Sequence, residues 1–357
     1  MPRLAVSRRT GYRLVLAMGL PAVFVVTLWF MPGKTASTNM ATTGIRDNRL
    51  LFTAVVDGMR EGRSYYEVYG TESRRRGYPT RSVFNWRQPL LMRLLASVPP
   101  RAGLLALIAL AAALLVQAHG LLRRQSLGVL TVINAALVVI VPGVMYFTEP
   151  WAGLCLGLSA VAYARQRETT GATWAVLALF IRELAGPYCV IALIVALSRK
   201  RWREVGVWMG GGFLYALYYG THVWQVWQHA LPGDHGHSHS WLYGGGLPFV
   251  IQVWQQNGIL ALLPAVVFSL VVVAAVAAWW APQMPVHVRA SVLVYSVLFL
   301  FIGLPFNMNW GGMIAPLVAL WLAYAPTGLT TLWTCARLPR IAPSPMLRGM
   351  EKLSELA

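Results

Sequence analysis

Apolar runs separated by short basic turns fill most of this chain, and one long polar segment interrupts them directly after the first run. The runs fall at 14–31, 102–121, 127–147, 150–164, 205–222, 258–280, 290–306 and 312–330. Several approach the roughly 20 residues that a helix needs to cross a bilayer. No segment shows the ten-residue alternation of an outer-membrane strand, and open sheets cannot face lipid, so the spans are read as helices. The stretch between Arg167 and the cluster Arg199, Lys200, Arg201, Arg203 departs from the pattern, because a single crossing would set two basic clusters on opposite sides. A re-entrant hairpin removes the conflict: 172–181 rises, the chain turns from Arg182 to Pro187, and 188–198 descends. At about 1.5 Å per residue each arm covers about half the hydrocarbon. The pattern predicts an all-α integral membrane protein with about eight transmembrane helices and one re-entrant pair over 172–198. It also predicts interfacial helices in the first extracytoplasmic loop, 32–101.

Composition agrees, with 57% hydrophobic and only 12% charged residues. A formal net charge of +18 would suggest nucleic acid for a soluble protein. Here most basic residues flank apolar runs, where they set topology, and nucleic acid is set aside as a partner. Arg3, Arg8, Arg9 and Arg13 precede the first run, placing the amino terminus in the cytoplasm. A cleavable signal peptide has a similar outline, yet no small-x-small cleavage site follows. Arg123/Arg124, Arg165/Arg167, Arg289 and the tail 331–357, with Arg337, Arg340, Arg348 and Lys352, mark further cytoplasmic segments. Residues 1–357 thus form one polytopic domain of the inner (plasma) membrane, both termini inside. Cys155, Cys189 and Cys335 form no metal or disulfide pattern.

The first external loop defies the positive-inside trend, with twelve Lys/Arg between Lys34 and Arg101 against five Asp/Glu. Long loops are largely exempt from that rule. A cationic surface beside the bilayer suits an anionic headgroup or a phosphate-linked substrate, and a solvated loop accounts equally well for Arg74-Arg75-Arg76. Arg87 differs, because it stands in FNWRQP among aromatics beside an apolar segment. Leu51, Phe52, Val55, Val56 and Met59 share one helical face and Arg49, Thr53, Asp57 and Arg60 the other, the pattern of an interfacial helix. Gly62 ends that helix, and Asp47-Asn48 stand at its start, where Asp47 would serve as a cap. Tyr65, Tyr66, Tyr69, Tyr78, Phe84 and Trp86 follow. Such aromatics anchor proteins at the headgroup level or stack on sugar rings, and composition favours anchoring.

The order of these features resembles the polytopic type C glycosyltransferases (GT-C fold), in particular the polyprenyl-phosphate-mannose-dependent mannosyltransferase-like branch. The resemblance rests on Asp47, Ala54, Gly62, Tyr65-Tyr66, Tyr69, Pro79 and Phe84-Asn85-Trp86-Arg87-Gln88-Pro89. It covers the amino-terminal third and extends to the remainder through topology alone. It implies a membrane glycosyltransferase that takes a polyprenyl-phosphate-linked sugar to a glycan or lipid acceptor, with Asp47 as the catalytic or substrate-orienting acid. Tyr66, Asn85 and Arg87, at or beside motif positions, become candidate substrate-binding residues. The chain lacks an adjacent Asp-x-Asp or Glu-x-Asp pair, so a divalent metal stays possible without being indicated, and no other cofactor follows.

Ionisable residues at membrane depth are functional candidates by default. Glu149, in Tyr-Phe-Thr-Glu-Pro, is expected to face the same cavity as Asp47; it also reads as an interfacial acid that ends a helix. Arg182 and Glu183, about 100° apart on a helix, are expected to reach different partners rather than each other. Asn307 and Asn309, in Phe306-Asn-Met-Asn-Trp-Gly-Gly312, line the acceptor side or form a plain turn. Asp234-His-Gly-His-Ser-His239 places alternate histidines on one extended face but lacks a secured fourth ligand. A transporter or flippase of glycolipid intermediates also needs buried charges and a broken helix, although paired broken helices and an internal repeat, usual in transporters, are not visible. An accessory protein of cell-surface glycopolymer assembly remains the third reading.

Overall fold

The computed structural model describes residues 10–31, 34–122, 128–141, 143–236, 244–255 and 258–337. Arg3, Arg8, Arg9, Arg123, Arg124, His237, His239, Arg340, Arg348 and Lys352, used above, lie outside them. Every regular element among the described residues is helical. Helix α1 (Thr10–Phe30) leads into the polar segment, which holds α2 (Lys34–Arg60), α3 (Tyr65–Arg75) and α4 (Pro89–Ala96). The bundle continues with α5 (Pro100–Leu122), α6 (Gly128–Ala136), α7 (Thr148–Ala164), α8 (Glu168–Ile181), α9 (Gly186–Ser198) and α10 (Trp202–Gln228). It closes with α11 (Gly246–Gln255), α12 (Ala265–Ala278), α13 (Val286–Phe301), α14 (Trp310–Ala323) and α15 (Ala325–Arg337).

By length and composition α1 and α5 can cross a membrane, and a third span results if 307–323 and 325–337, bent by 42°, count as one. Eight continuous spans are therefore not what the helix lengths give. Local breaks explain the difference. The apolar run 258–280 opens as a 3-10 turn, Gly258–Leu262, and becomes helix only after Pro264, whose fixed φ and missing N–H suit a helix start. The run 127–147 leaves α-helix after Ala136 and holds 3-10 turns at Leu137–Ile140 and Val144–Tyr146, and α13 stops at Phe301. Helix α11 was not visible as a separate run.

The break at 182–187 falls where the charge pattern put it. Helix α8 stops at Ile181, Arg182 is extended at φ −152° and ψ 118°, and a 3-10 turn at Glu183–Ala185 leads into α9 with Pro187 in its first turn. Glu168, opening α8, pairs with Arg201, just past α9, at 3.2 Å. The two arms thus start and finish at one level and turn at Arg182.

Helix α7 is the centre of the bundle, buried along nearly its whole length. It crosses α14 at a distance that only glycine permits. A Cβ on Gly153 would stand 2.6 Å from the Gly312 carbonyl oxygen, and one on Gly157 2.7 Å from Pro316 Cβ. Gly153 and Gly157 form a small-xxx-small pair of the kind that brings membrane helices together. Because 153 meets 312 and 157 meets 316, the two helices run parallel, and their amino-terminal ends lie side by side.

The polar segment is folded down onto this bundle. The face of α2 carrying Leu51, Phe52, Val55 and Val56 is buried in the protein core, with Phe52 edge-on to Phe147 at 5.5 Å, rather than turned to lipid. Helix α2 begins at Lys34, so Asp47 lies inside it and is not the cap expected from the sequence. Gly62, at φ +89°, does end the helix: Arg63 N–H reaches Gly58 O at 3.2 Å and Gly62 N–H reaches Met59 O at 3.0 Å, a Schellman pair. Tyr65, Tyr66, Tyr69 and Trp86 are buried against one another, not spread as a headgroup belt.

Candidate functional site

The crossing of α7 over α14 brings two short polar stretches together. Glu149 occupies the first turn of α7, where its charge also suits the helix dipole, and Asn309 immediately precedes α14. Asn309 Nδ2 donates to Glu149 Oε1 at 2.9 Å, and Thr148 Oγ1 donates to Oε2 at 3.3 Å. Two arginines from separate elements converge on the same Oε1: Arg87 from the loop before α4 and Arg182 from the hairpin turn, each at 3.4 Å. The side chains of Glu149, Arg182 and Arg87 are 1%, 3% and 13% exposed. Charges taken this far from water persist only where they are paired, and Glu149 supplies the pairing for both arginines.

The cluster continues outward. Arg182 Nη1 donates to Glu183 Oε1 at 2.6 Å, so these neighbours do neutralise each other. The 100° separation assumed for them applies to a continuous helix, and Arg182 is extended. Glu183 Oε2 accepts from Gln88 Nε2 at 3.2 Å, and the same nitrogen contacts the Tyr215 hydroxyl on α10 at 2.9 Å. The loop that carries Arg87 is fixed from below: the Tyr65 hydroxyl donates to Arg87 O, Tyr69 OH to Asn85 O at 3.0 Å, and Trp86 Nε1 to Thr80 O at 2.8 Å. Burial alone would lower the Arg87 pKa, but Glu149, with smaller contributions from Tyr69 and Glu183, more than reverses this and holds it above the ordinary arginine value.

Two cavities meet at this cluster. A small polar one, about 60 Å³, is lined by Asn48, Leu51, Phe52, Tyr69, Tyr78, Pro79, Phe84, Asn85, Arg87, Asn307 and Asn309. A larger, mainly apolar groove of about 370 Å³ runs past Leu137, Val138, Ile140, Val141, Phe147, Ile259 and Leu262, and reaches Glu149 and Asn309. Asn309 belongs to both walls. Several buried donors here lack a hydrogen-bond partner: Asn85 Nδ2, Arg87 Nε, Arg182 Nε and Asn307 Nδ2. Asn85 Oδ1 and Gln88 Oε1 are likewise without a protein partner, so hydrogen-bonding capacity of both kinds is left over at this place, where buried polar groups are nearly always satisfied.

Of the residues singled out from the sequence, Arg87, Glu149, Arg182 and Glu183 form one ion-pair cluster, and Asn85 and Asn307 line the polar cavity beside it. Asp47 does not join that cluster. It stands exposed on α2, next to cavity-lining Asn48, and it is near enough to Tyr78 to act on it: burial first, then Asp47, pushes that phenol up to about 12. Tyr66 lies apart from the cavity walls, with its hydroxyl 3.0 Å from His222 Nδ1 and its ring against Trp86 and His229. It holds the fold of the loop. Asn48 and Tyr69 line the polar cavity and Gln88 joins Glu183 to Tyr215, although the sequence offered them only as a helix start, an aromatic and a motif position, because nothing in their local pattern separates them from loop-stabilising residues.

Elsewhere in the loop the Arg74-Arg75-Arg76 cluster is paired with acids of the protein itself. Arg74 forks onto Asp234 at 2.6 and 2.8 Å, with Thr80 Oγ1 on the same carboxylate at 2.6 Å, while Arg75 and Arg76 both pair with Glu72. Asp234 is thereby committed to a clamp, and Arg74 above all holds its carboxyl far below the usual range. Among the described residues no group of three His, Cys, Asp or Glu is placed to hold a metal ion. No family model, no curated protein and no solved structure matches the chain.

Proposed function

We propose that this protein is a membrane glycosyltransferase that moves a sugar from a polyprenyl-phosphate donor to a hydroxyl of an extracytoplasmic glycan or lipid acceptor. The observation that carries the reading is the shared wall at Asn309, which donates to Glu149, with an apolar groove on one side and, on the other, a polar cavity holding Arg87 and unpaired amide donors. A long apolar chain joined through an anion to a polyhydroxylated head fits that sequence of surfaces. Arg87 and Arg182 meet the phosphate, since a guanidinium matches its geometry and stays charged when buried. Asn85, Asn307 and Asn309 meet sugar hydroxyls, and Glu149 and Glu183 fix the arginines.

In the transfer step the acceptor oxygen forms a bond to the anomeric carbon as the bond from that carbon to the phosphate oxygen breaks. The electron pair leaves with polyprenyl phosphate, whose added charge falls on Arg87 and Arg182. The acceptor proton passes to Asp47, which is exposed beside the cavity-lining Asn48 and Tyr78 and so is open to an acceptor arriving from solvent. In topology, α1, α5, α6, α7, α10, α12, α13 and the bent pair α14–α15 make eight crossings of the inner membrane with both termini in the cytoplasm. The α8–α9 hairpin enters from the cytoplasmic side and delivers Arg182 to the donor.

Cell-surface glycans compared between wild type and Asp47→Asn, expressed and inserted at equal level, test this. Loss of one linkage with accumulation of a lipid-linked donor or truncated acceptor supports the reading. An unchanged profile removes Asp47 from the reaction and favours a transporter or an accessory protein.

A further inference from the structure

A second pair of cavities shares no lining residue with the site. One, about 330 Å³, lies between α1 (Ala22, Val26, Thr27), α11 (Val250, Trp254) and α12 (Val272, Val276). The other, about 240 Å³, lies between α12, α13 and Trp321 of α14. Both are walled by Trp254, Val276 and Ser296, so they form one continuous slot, apolar apart from Ser296 and Thr27. A cation stands against one of the wall residues. The Arg289 guanidinium lies 5.5 Å from the ring centre of Trp279, which lines the slot and packs against Trp321 at 6.1 Å. Arg289 Nη2 donates to Ala281 O at 2.6 Å, its buried Nε has no partner, and no carboxylate pairs with it among the described residues.

A slot that is apolar along its length, with an uncompensated guanidinium against its wall residue Trp279, suits an amphiphile with an anionic head. A neutral chain would leave the cation unpaired, and a soluble anion would leave the slot unfilled. From this charge complementarity we propose that the slot between α1, α11, α12 and α13 holds one acyl chain of an anionic phospholipid, with its phosphate on Arg289. The site stands apart from the transferase reading and survives its failure. Bound lipid ties α1, which packs on α12 through Leu20 and Ala277, to the rest of the bundle.

The test uses the purified full chain in detergent, with dioleoyl phosphatidylglycerol, dioleoyl phosphatidylcholine and inorganic phosphate as probes. Retention is read by native mass spectrometry and stability by thermal unfolding. Phosphatidylglycerol should be retained at least tenfold better than phosphatidylcholine and should raise the Tm by several degrees, whereas inorganic phosphate should not. Arg289→Gln should abolish the preference, Arg289→Lys should keep most of it, and Ser296→Trp, which fills the slot and leaves the arginine, should block both lipids. Equal retention of the two lipids by wild type, unchanged retention in Ser296→Trp, or a Tm rise from inorganic phosphate equal to that from the lipid would overturn the proposal.

Discussion

Two groups of arginines in one polar segment have opposite fates. Arg74, Arg75 and Arg76, the densest positive charge in the loop, are absorbed by Asp234 and Glu72 at or near the surface. Arg87, a single residue eleven positions on, is carried inward by an aromatic platform, shares Glu149 with Arg182, and retains an unpaired Nε beside a cavity. Charge density therefore does not mark the site. What marks it is burial, together with hydrogen-bonding capacity left over after the protein's own pairs are made.

The sharpest way to break this comparison is to remove each group in turn. Arg87→Ala should lower sugar transfer in proteoliposomes by about 100-fold or more, the scale for losing a positioned transition-state donor, while Arg75→Ala with Arg76→Ala should leave the rate within about twofold. Next in size is stability. Glu149→Gln leaves two buried arginines without their shared counter-charge and should destabilise by about 3–5 kcal/mol, against a change within about 0.5 kcal/mol for Glu72→Gln; thermal unfolding in detergent measures both. Gly153→Leu forces α7 and α14 apart and should cost about 1–3 kcal/mol, with a fall in transfer because Glu149 and Asn309 separate.

A smaller effect than these belongs to the Arg74–Asp234 clamp. Asp234→Asn should cost about 1 kcal/mol. Since the folded carboxyl titrates below its ordinary value, the stabilisation is complete above the unfolded pKa of about 3.9 and disappears as pH falls toward the folded one. Wild type and variant should differ by a constant amount from about pH 5 to 8 and converge only in strong acid, as followed by thermal unfolding from neutral pH into strong acid.

Much of this was legible in the sequence. The helix break at Arg182 followed from basic clusters that one crossing would have put on opposite sides, and Arg87 and Glu149 stood out as charges beside apolar segments. Their mutual contact did not, because it depends on how α7 crosses α14, and the glycines that allow the close approach, Gly153 and Gly157, look like ordinary residues of an apolar run. Hydropathy also overstated span continuity, since it does not register the 3-10 turns at 137–140 and 258–262. The partners of Tyr66 and Asp234 were not legible either, because they lie far away in sequence: the Tyr66 hydroxyl pairs with His222 inside the loop's own core and Asp234 is taken up by Arg74.

The central claim is that the Arg87–Glu149–Arg182 cluster receives a lipid-linked phosphate. Binding of a long-chain polyprenyl phosphate and of the matching polyprenol to the purified protein, for wild type and Arg87→Gln, tests it most directly. The account predicts that wild type prefers the phosphate by at least tenfold and that Arg87→Gln loses that preference while still binding the polyprenol. Equal affinity of wild type for the two lipids, or an undiminished preference in Arg87→Gln, would contradict it.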